Sequence, residues 1–93
     1  WTGKGTFLLE VSGDSMIDAH IQEGDYVVVQ NKRTATKGDI AVVRNSEGEV
    51  TLKYWYPEKN RIRLQPANKR MTPKYSTDAR VTGVVVGVVR PTV

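Results

Sequence analysis

The chain has 93 residues, no cysteine and one histidine, His20, which bounds it to one small domain over residues 1–93 and excludes a disulfide framework, a thiolate metal site and a multi-histidine centre. Its net charge of +4 comes from bases scattered over Lys32, Arg33, Lys37, Arg61, Arg63, Lys69 and Arg70, without the clustering or recognition helix of a nucleic-acid interface, so it reads as solvated surface. No apolar run approaches the ~20 residues that span a bilayer, and no basic-then-apolar leader opens the chain, so a cytoplasmic protein without membrane contact is expected.

In chain order the elements read as short strands cut by turn signals. Residues 6–11 (Thr-Phe-Leu-Leu-Glu-Val) form a β-rich run ending at a turn on Gly13. Residues 16–22 suit one helical turn, with Asp14 or Ser15 as its cap. Gly24-Asp25 leads into residues 26–30, a run apolar on both faces and therefore a buried strand. Lys37-Gly38-Asp39 makes a similar turn into a strand over 40–44, and residues 45–49 close a hairpin onto 50–56. After a turn at 57–60, residues 61–65 alternate, with Ile62 and Leu64 pointing inward. Residues 66–73 carry no period and are expected as loop. Residues 80–90 make a long valine-rich strand interrupted by Gly83 and Gly87. The sum is a mostly β fold, compact and antiparallel, of about six to eight short strands with minimal helix. The segment 82–89 fits either a central core strand or an edge that pairs with another copy. Because it begins at Trp1 rather than a methionine, the chain is expected to be a piece of something longer.

One pair of residues carries chemistry. Ser15 follows Gly13-Asp14 on a tight turn, and Lys53 stands inside an otherwise apolar strand. A serine hydroxyl is inert near neutral pH unless a base within hydrogen-bond reach takes its proton. Lysine is such a base only when neutral, so its pKa must fall from ~10.4. Burial does this, because a low dielectric penalises the ammonium more than the amine. Strand alternation sets Thr51, Lys53 and Trp55 on one face, a small hydroxyl and an indole to screen the amine from water. The backbone N–H groups of Asp14, Ser15 and Met16 are the nearest donors for an oxyanion.

Residue types alone leave a plainer reading standing, with Gly-Asp-Ser as a turn or cap and Lys53 as a surface lysine. A triad of Ser15, His20 and Asp25 can also be drawn, although all three lie on one short segment. The Ser-x-x-Lys pattern is absent, since Asp18 holds the position of its lysine. Asp14 itself reads as a solvated turn residue. No cluster of metal ligands and no cofactor motif is present.

From about Phe7 to Arg90 the chain resembles the catalytic C-terminal domain of LexA-type repressors and their relatives, the UmuD proteins and phage CI repressors. Val11-Ser12-Gly13-Asp14-Ser15-Met16 is similar to the family's nucleophile motif, Val-x-Gly-x-Ser-Met. Asp18 and the segment from Ile21 to Asp25 resemble the turn that follows it, and residues 37–42 the step into the next strand. Val50-Thr51-Leu52-Lys53 is similar to the strand that bears the base. Leu64-Gln65-Pro66-Ala67-Asn68 resembles the family's Leu-x-Pro-x-Asn turn, and the run from Val81 to Arg90 its terminal strand. The resemblance implies a LexA/signal-peptidase-like β fold with Ser15 as nucleophile and Lys53 as general base, working without a cofactor. It further implies self-cleavage at an Ala-Gly type bond and a homodimer formed through the strand from Val81 to Val89. The partner implied is a RecA–single-stranded DNA filament, which stimulates cleavage during the SOS response to DNA damage.

Family repressors carry a DNA-binding helix-turn-helix ahead of this domain, and operator DNA is touched only there. These residues encode neither that domain nor an Ala-Gly bond. The expectation is therefore an autoproteolytic and dimerisation domain without its own cleavage site. A UmuD-like accessory subunit of a lesion-bypass polymerase and a non-catalytic dimerisation module are the alternatives.

Overall fold

The structure, a computed structural model, describes residues 5–92; Trp1 lies outside the described residues. Seven strands form one sheet: β1 (Thr6–Glu10), β2 (Tyr26–Gln30), β3 (Ile40–Arg44), β4 (Val50–Pro57), β5 (Ile62–Gln65), β6 (Lys74–Ser76) and β7 (Arg80–Val89). Their order across the sheet is β1-β2-β7-β3-β4-β5-β6, and every neighbouring pair is antiparallel. The helical content of the described residues is a single 3-10 turn, Ile17–Ala19. The mostly β, antiparallel expectation holds.

Alternation along the strands divides the core. In β3, Val42 joins a cluster with Val11, Met16, Ile21, Val27, Val29 and Ala67, while its neighbours Ala41 and Val43 join Leu64, Val81 and Val84. Because both faces of β3 are covered, Ala41, Val42 and Val43 are all apolar and all buried. Such a strand reads as a continuous apolar run rather than an alternating one.

β7 is interior, so of the two readings left open for the valine-rich segment the central strand is the one adopted. Its two halves serve different partners: residues 84–89 pair with β2, and residues 80–84 pair with β3. Each register slips once, between Val28 and Val29 on β2 and between Val42 and Val43 on β3. Slips of this kind bend a strand and raise its twist, which lets one long strand stitch two smaller sheets together. Gly83 sits where β2 and β7 cross. A Cβ there would collide with Val29 Cγ1 and lie 3.0 Å from the Gln30 carbonyl oxygen.

Besides one-residue shifts at the ends of β4, β5 and β7, three features differ from the sequence expectation. Val11 is buried but outside the β1 ladder, where its N–H donates to the Asp25 carbonyl at 2.8 Å. The helical turn is shorter than residues 16–22 and is not capped by Asp14 or Ser15: Met16 occupies the cap position without a side-chain hydrogen bond. The Asp14 contribution comes from its backbone carbonyl, which accepts the Ile17 N–H at 3.2 Å. β6 follows the expected loop as an additional strand, in register with β5 from Ile62↔Ser76 to Leu64↔Lys74. The Arg61 guanidinium lies 3.7 Å from the centroid of the Tyr75 ring, a cation–π contact that fastens this short strand.

Candidate active site

The serine loop is shaped by Gly13, whose φ of +80° lies in the left-handed region that side-chain-bearing residues avoid. Its N–H donates to Glu23 Oε1 at 3.2 Å. Two residues on, Ser15 is half-buried, and Met16, only 2% exposed, plugs the loop into the core. The segment after β5 laces onto this loop from outside. The Ala67 N–H donates to the Ser15 carbonyl at 2.8 Å, the Asp18 N–H to the Ala67 carbonyl at 2.6 Å, and Asn68 Nδ2 to the Asp14 carbonyl at 2.9 Å. The Asp18 carboxylate returns the tie by accepting the Lys69 N–H at 2.9 Å. These bonds fix the serine backbone while leaving its hydroxyl free to face β4.

Lys53 reaches that hydroxyl from β4. Its Nζ donates to Ser15 Oγ at 3.2 Å, to Thr51 Oγ1 at 2.7 Å and to the Leu52 carbonyl at 3.3 Å. The ion pairs of the described residues join Arg61 and Arg63 to Glu58 and Arg90 to Asp25, so no carboxylate neutralises Lys53. Burial holds the amine below the ordinary lysine range, and the positive charge of Lys74 adds to the effect. A half-buried lysine with neutral acceptors and no anion is poised to lose its proton.

Beside this contact lies a recess of about 240 Å³, walled by Leu9, Val11, Met16 and Leu52 with Ser15 at its edge. A second, of about 460 Å³, is lined by Lys53 itself together with Thr51. The backbone N–H groups of Asp14, Ser15 and Met16 donate to no acceptor among the described residues. They are therefore available to an incoming oxygen, the requirement for stabilising an oxyanion. The Asp14 side chain is exposed and makes no bond among the described residues.

The Ser15–His20–Asp25 arrangement is not assembled. Asp25 is 2% exposed, and both of its oxygens are occupied. Arg90 Nε reaches Oδ1 at 2.9 Å, while Arg90 Nη2 and the Gln22 N–H reach Oδ2 at 3.0 and 2.8 Å. His20 serves through its carbonyl, which accepts Arg90 Nη2 at 3.0 Å, and it closes the 3-10 turn in a left-handed conformation. Sequence reasoning did not anticipate this clasp. Its one visible cue was a carboxylate at the head of an otherwise buried strand.

Trp55, expected to screen Lys53, packs instead with the cluster around Ala41 and Leu64, and it is Thr51 that touches the amine. The indole also lines a larger recess of about 790 Å³ with Arg33, Arg44 and Arg80, whose lining includes neither Ser15 nor Lys53. No group of three His, Asp or Glu side chains that could hold a metal occurs among the described residues, and no helix there is long and apolar enough to cross a membrane.

The chain is similar to known proteins along most of its length. The chain is 47% identical over 87 residues to the LexA repressor of Geobacillus thermodenitrificans (strain NG80-2), covering 94% of this chain and 42% of the relative. It is 49% identical over 84 residues to the LexA repressor of Staphylococcus aureus (strain Newman), covering 90% and 41%, respectively. For the LexA repressor of Brevibacillus brevis (strain 47) the identity is 45% over 89 residues, covering 96% and 43%. The chain thus spans about two fifths of the length of the curated relatives it matches. Residues 1–86 match the Peptidase S24-like family, and to that family, which includes the LexA-type proteins, the chain belongs.

Proposed function

We propose that Ser15 is the nucleophile and Lys53 the general base of a serine peptidase, and that the chain is the autoproteolytic and dimerisation domain of a LexA-type repressor. The observation that carries this reading is the 3.2 Å contact between Lys53 Nζ and Ser15 Oγ, made by an amine that burial disposes to be neutral. Neutral Lys53 accepts the Ser15 proton as Oγ attacks the carbonyl carbon of the scissile bond. The free N–H groups of Asp14, Ser15 and Met16 receive the oxyanion. The Lys53 ammonium then returns its proton to the leaving amine, which leaves an acyl-serine. Water, activated by Lys53, hydrolyses that ester and restores the hydroxyl. Thr51 Oγ1 and the Leu52 carbonyl hold the amine on line throughout.

The substrate of this reading is an Ala-Gly type bond in a repressor chain, cut when a RecA–single-stranded DNA filament stimulates the protein in the cytoplasm during the SOS response. Operator contact belongs to a separate DNA-binding domain. A homodimer is supported by Val86, Val88 and Val89, which are 42%, 44% and 47% exposed on the half of β7 that pairs with β2 alone.

The test is cleavage in trans of a peptide carrying an Ala-Gly bond between about pH 7 and 10. The expected result is a single cut at that bond whose rate rises with pH as Lys53 loses its proton. Ser15→Ala and Lys53→Ala each abolish it. Lys53→Arg also abolishes it, because arginine keeps its proton. A folded chain that cuts nothing at any pH, even with the filament present, would leave a dimerisation module without catalysis.

A further inference from the structure

β6, the strand that sequence periodicity did not show, places a second lysine over the first. Lys74 stands in register with Leu64, and Leu64 stands in register with Trp55. Lys53 precedes Trp55 by two residues and so shares its face of β4. Lys53, Leu64 and Lys74 therefore lie on one side of the sheet, and all three line the same recess of about 460 Å³.

We infer that Lys74 acts across this recess as a positioning residue for the proton of Lys53, disfavouring a second positive charge there and so setting the lower end of the pH range in which the dyad cleaves. The inference rests on the reading of Lys53 as general base.

Other charged or titratable groups also stand around the recess. Glu47 and Glu49, from the loop between β3 and β4, and Asp78, from the loop between β6 and β7, also line it, as does Tyr75 of β6. Asp78 is committed to Ser46 and Ser76, whose hydroxyls and the Ser46 N–H donate to its carboxylate and hold its pKa down to about 2. Glu49 accepts Asn45 Nδ2 at 2.9 Å, Glu47 is exposed at the tip of its loop, and Tyr75 lies under Arg61. From β3 the recess receives the apolar Val43, and from the serine loop Lys53 meets a neutral hydroxyl. Besides Lys53 itself, Lys74 is the one cation among the residues that line the recess, and its charge acts in the same direction as burial. Lys74 meets no substrate atom in this scheme; its influence is Coulombic.

The sign follows directly. Removing the Lys74 charge makes protonation of Lys53 easier, so the rising limb of the cleavage profile moves to higher pH. On that limb the rate is proportional to the neutral fraction of Lys53. Lys74→Gln should therefore lower it, on the order of threefold for one unit charge across a partly solvated gap. Lys74→Glu should lower it further, and Lys74→Arg should restore the native profile. The plateau at high pH, where Lys53 is neutral in every variant, should not change. Salt near 1 M should shrink the difference between native chain and Lys74→Gln.

The titration of Lys53 itself, followed by the NMR signal of its ¹³C-labelled ε-methylene in Ser15→Ala, does not depend on cleavage. Its midpoint should rise when Lys74→Gln is added, and it should rise with salt in the chain that retains Lys74. A midpoint unmoved by both overturns the inference, as does a Lys74→Gln loss that is equal on limb and plateau and is not rescued by arginine. If the native chain cuts nothing while the midpoint still moves, the coupling stands and the peptidase reading alone falls.

Discussion

Lys53 is held in its site at a cost to the fold. Its pKa is lower in the folded chain than in the unfolded one, so between the two values the unfolded chain binds more protons, and stability rises with pH through that window. Below the window the buried ammonium lacks a carboxylate partner. Lys53→Met keeps the length and apolar stem of the side chain while removing the charge. It should raise the thermal midpoint by a few degrees at pH 7, with an advantage that narrows towards pH 10.5, while abolishing cleavage. Calorimetry across that pH range checks it, and an advantage constant with pH would mean that packing, not charge, is responsible. At this scale much was legible in the sequence. A lysine inside an apolar strand and a serine behind a glycine turn stand out against their neighbours, whereas the role of Thr51 as the polar partner of the amine depends on rotamers that no spacing records.

Among the elements, β7 is the most constrained. Its two slips in register and its close crossing at Gly83 let one strand serve two partners. Gly83→Ala should cost about 1–3 kcal/mol, because the methyl group meets both Val29 and the Gln30 carbonyl, and neither can withdraw without opening the β2–β7 ladder. A fall in the urea midpoint at unchanged slope is the expected signature; an unchanged midpoint would show that the crossing is looser than drawn. The strands from β1 to β5 and β7 were visible because their apolar content is periodic or continuous over at least four residues. β6 was not: Lys74-Tyr75-Ser76 is three residues long, with two of them exposed. Its existence is set by pairing with β5 and by Arg61 on Tyr75, both outside the window in which a period is counted. The expected side-chain cap failed for a related reason, since the Asn68 and Ala67 bonds already fix the serine loop from another part of the chain.

Across the whole molecule, the link between Arg90 and Asp25 joins residues 65 apart in sequence. No local pattern foretells such a pair. Arg90 and the Gln22 N–H hold the Asp25 carboxyl below the ordinary carboxylate range, so its contribution to stability is complete above the unfolded value near 3.8 and is lost as pH falls through the lower folded value. Arg90→Gln leaves a buried carboxylate without its cation. It should lower the thermal midpoint at pH 7 by several degrees and move acid unfolding, followed by circular dichroism, to higher pH. An acid midpoint unchanged from the native chain would assign the clasp no part in stability. The order of strands in the sheet has a consequence for assembly. Ser15 belongs to the β1–β2 end and Lys53 to the block from β3 to β6, and the sheet joins these two parts only through β7, which follows all the other strands in the chain. Within the sheet, the parts that carry Ser15 and Lys53 are therefore joined by a strand synthesised after both of them. A chain still emerging can form two hairpin-bearing halves, but they become one sheet only when β7 arrives, and on the Ser-Lys reading proposed above cleavage would wait for that strand.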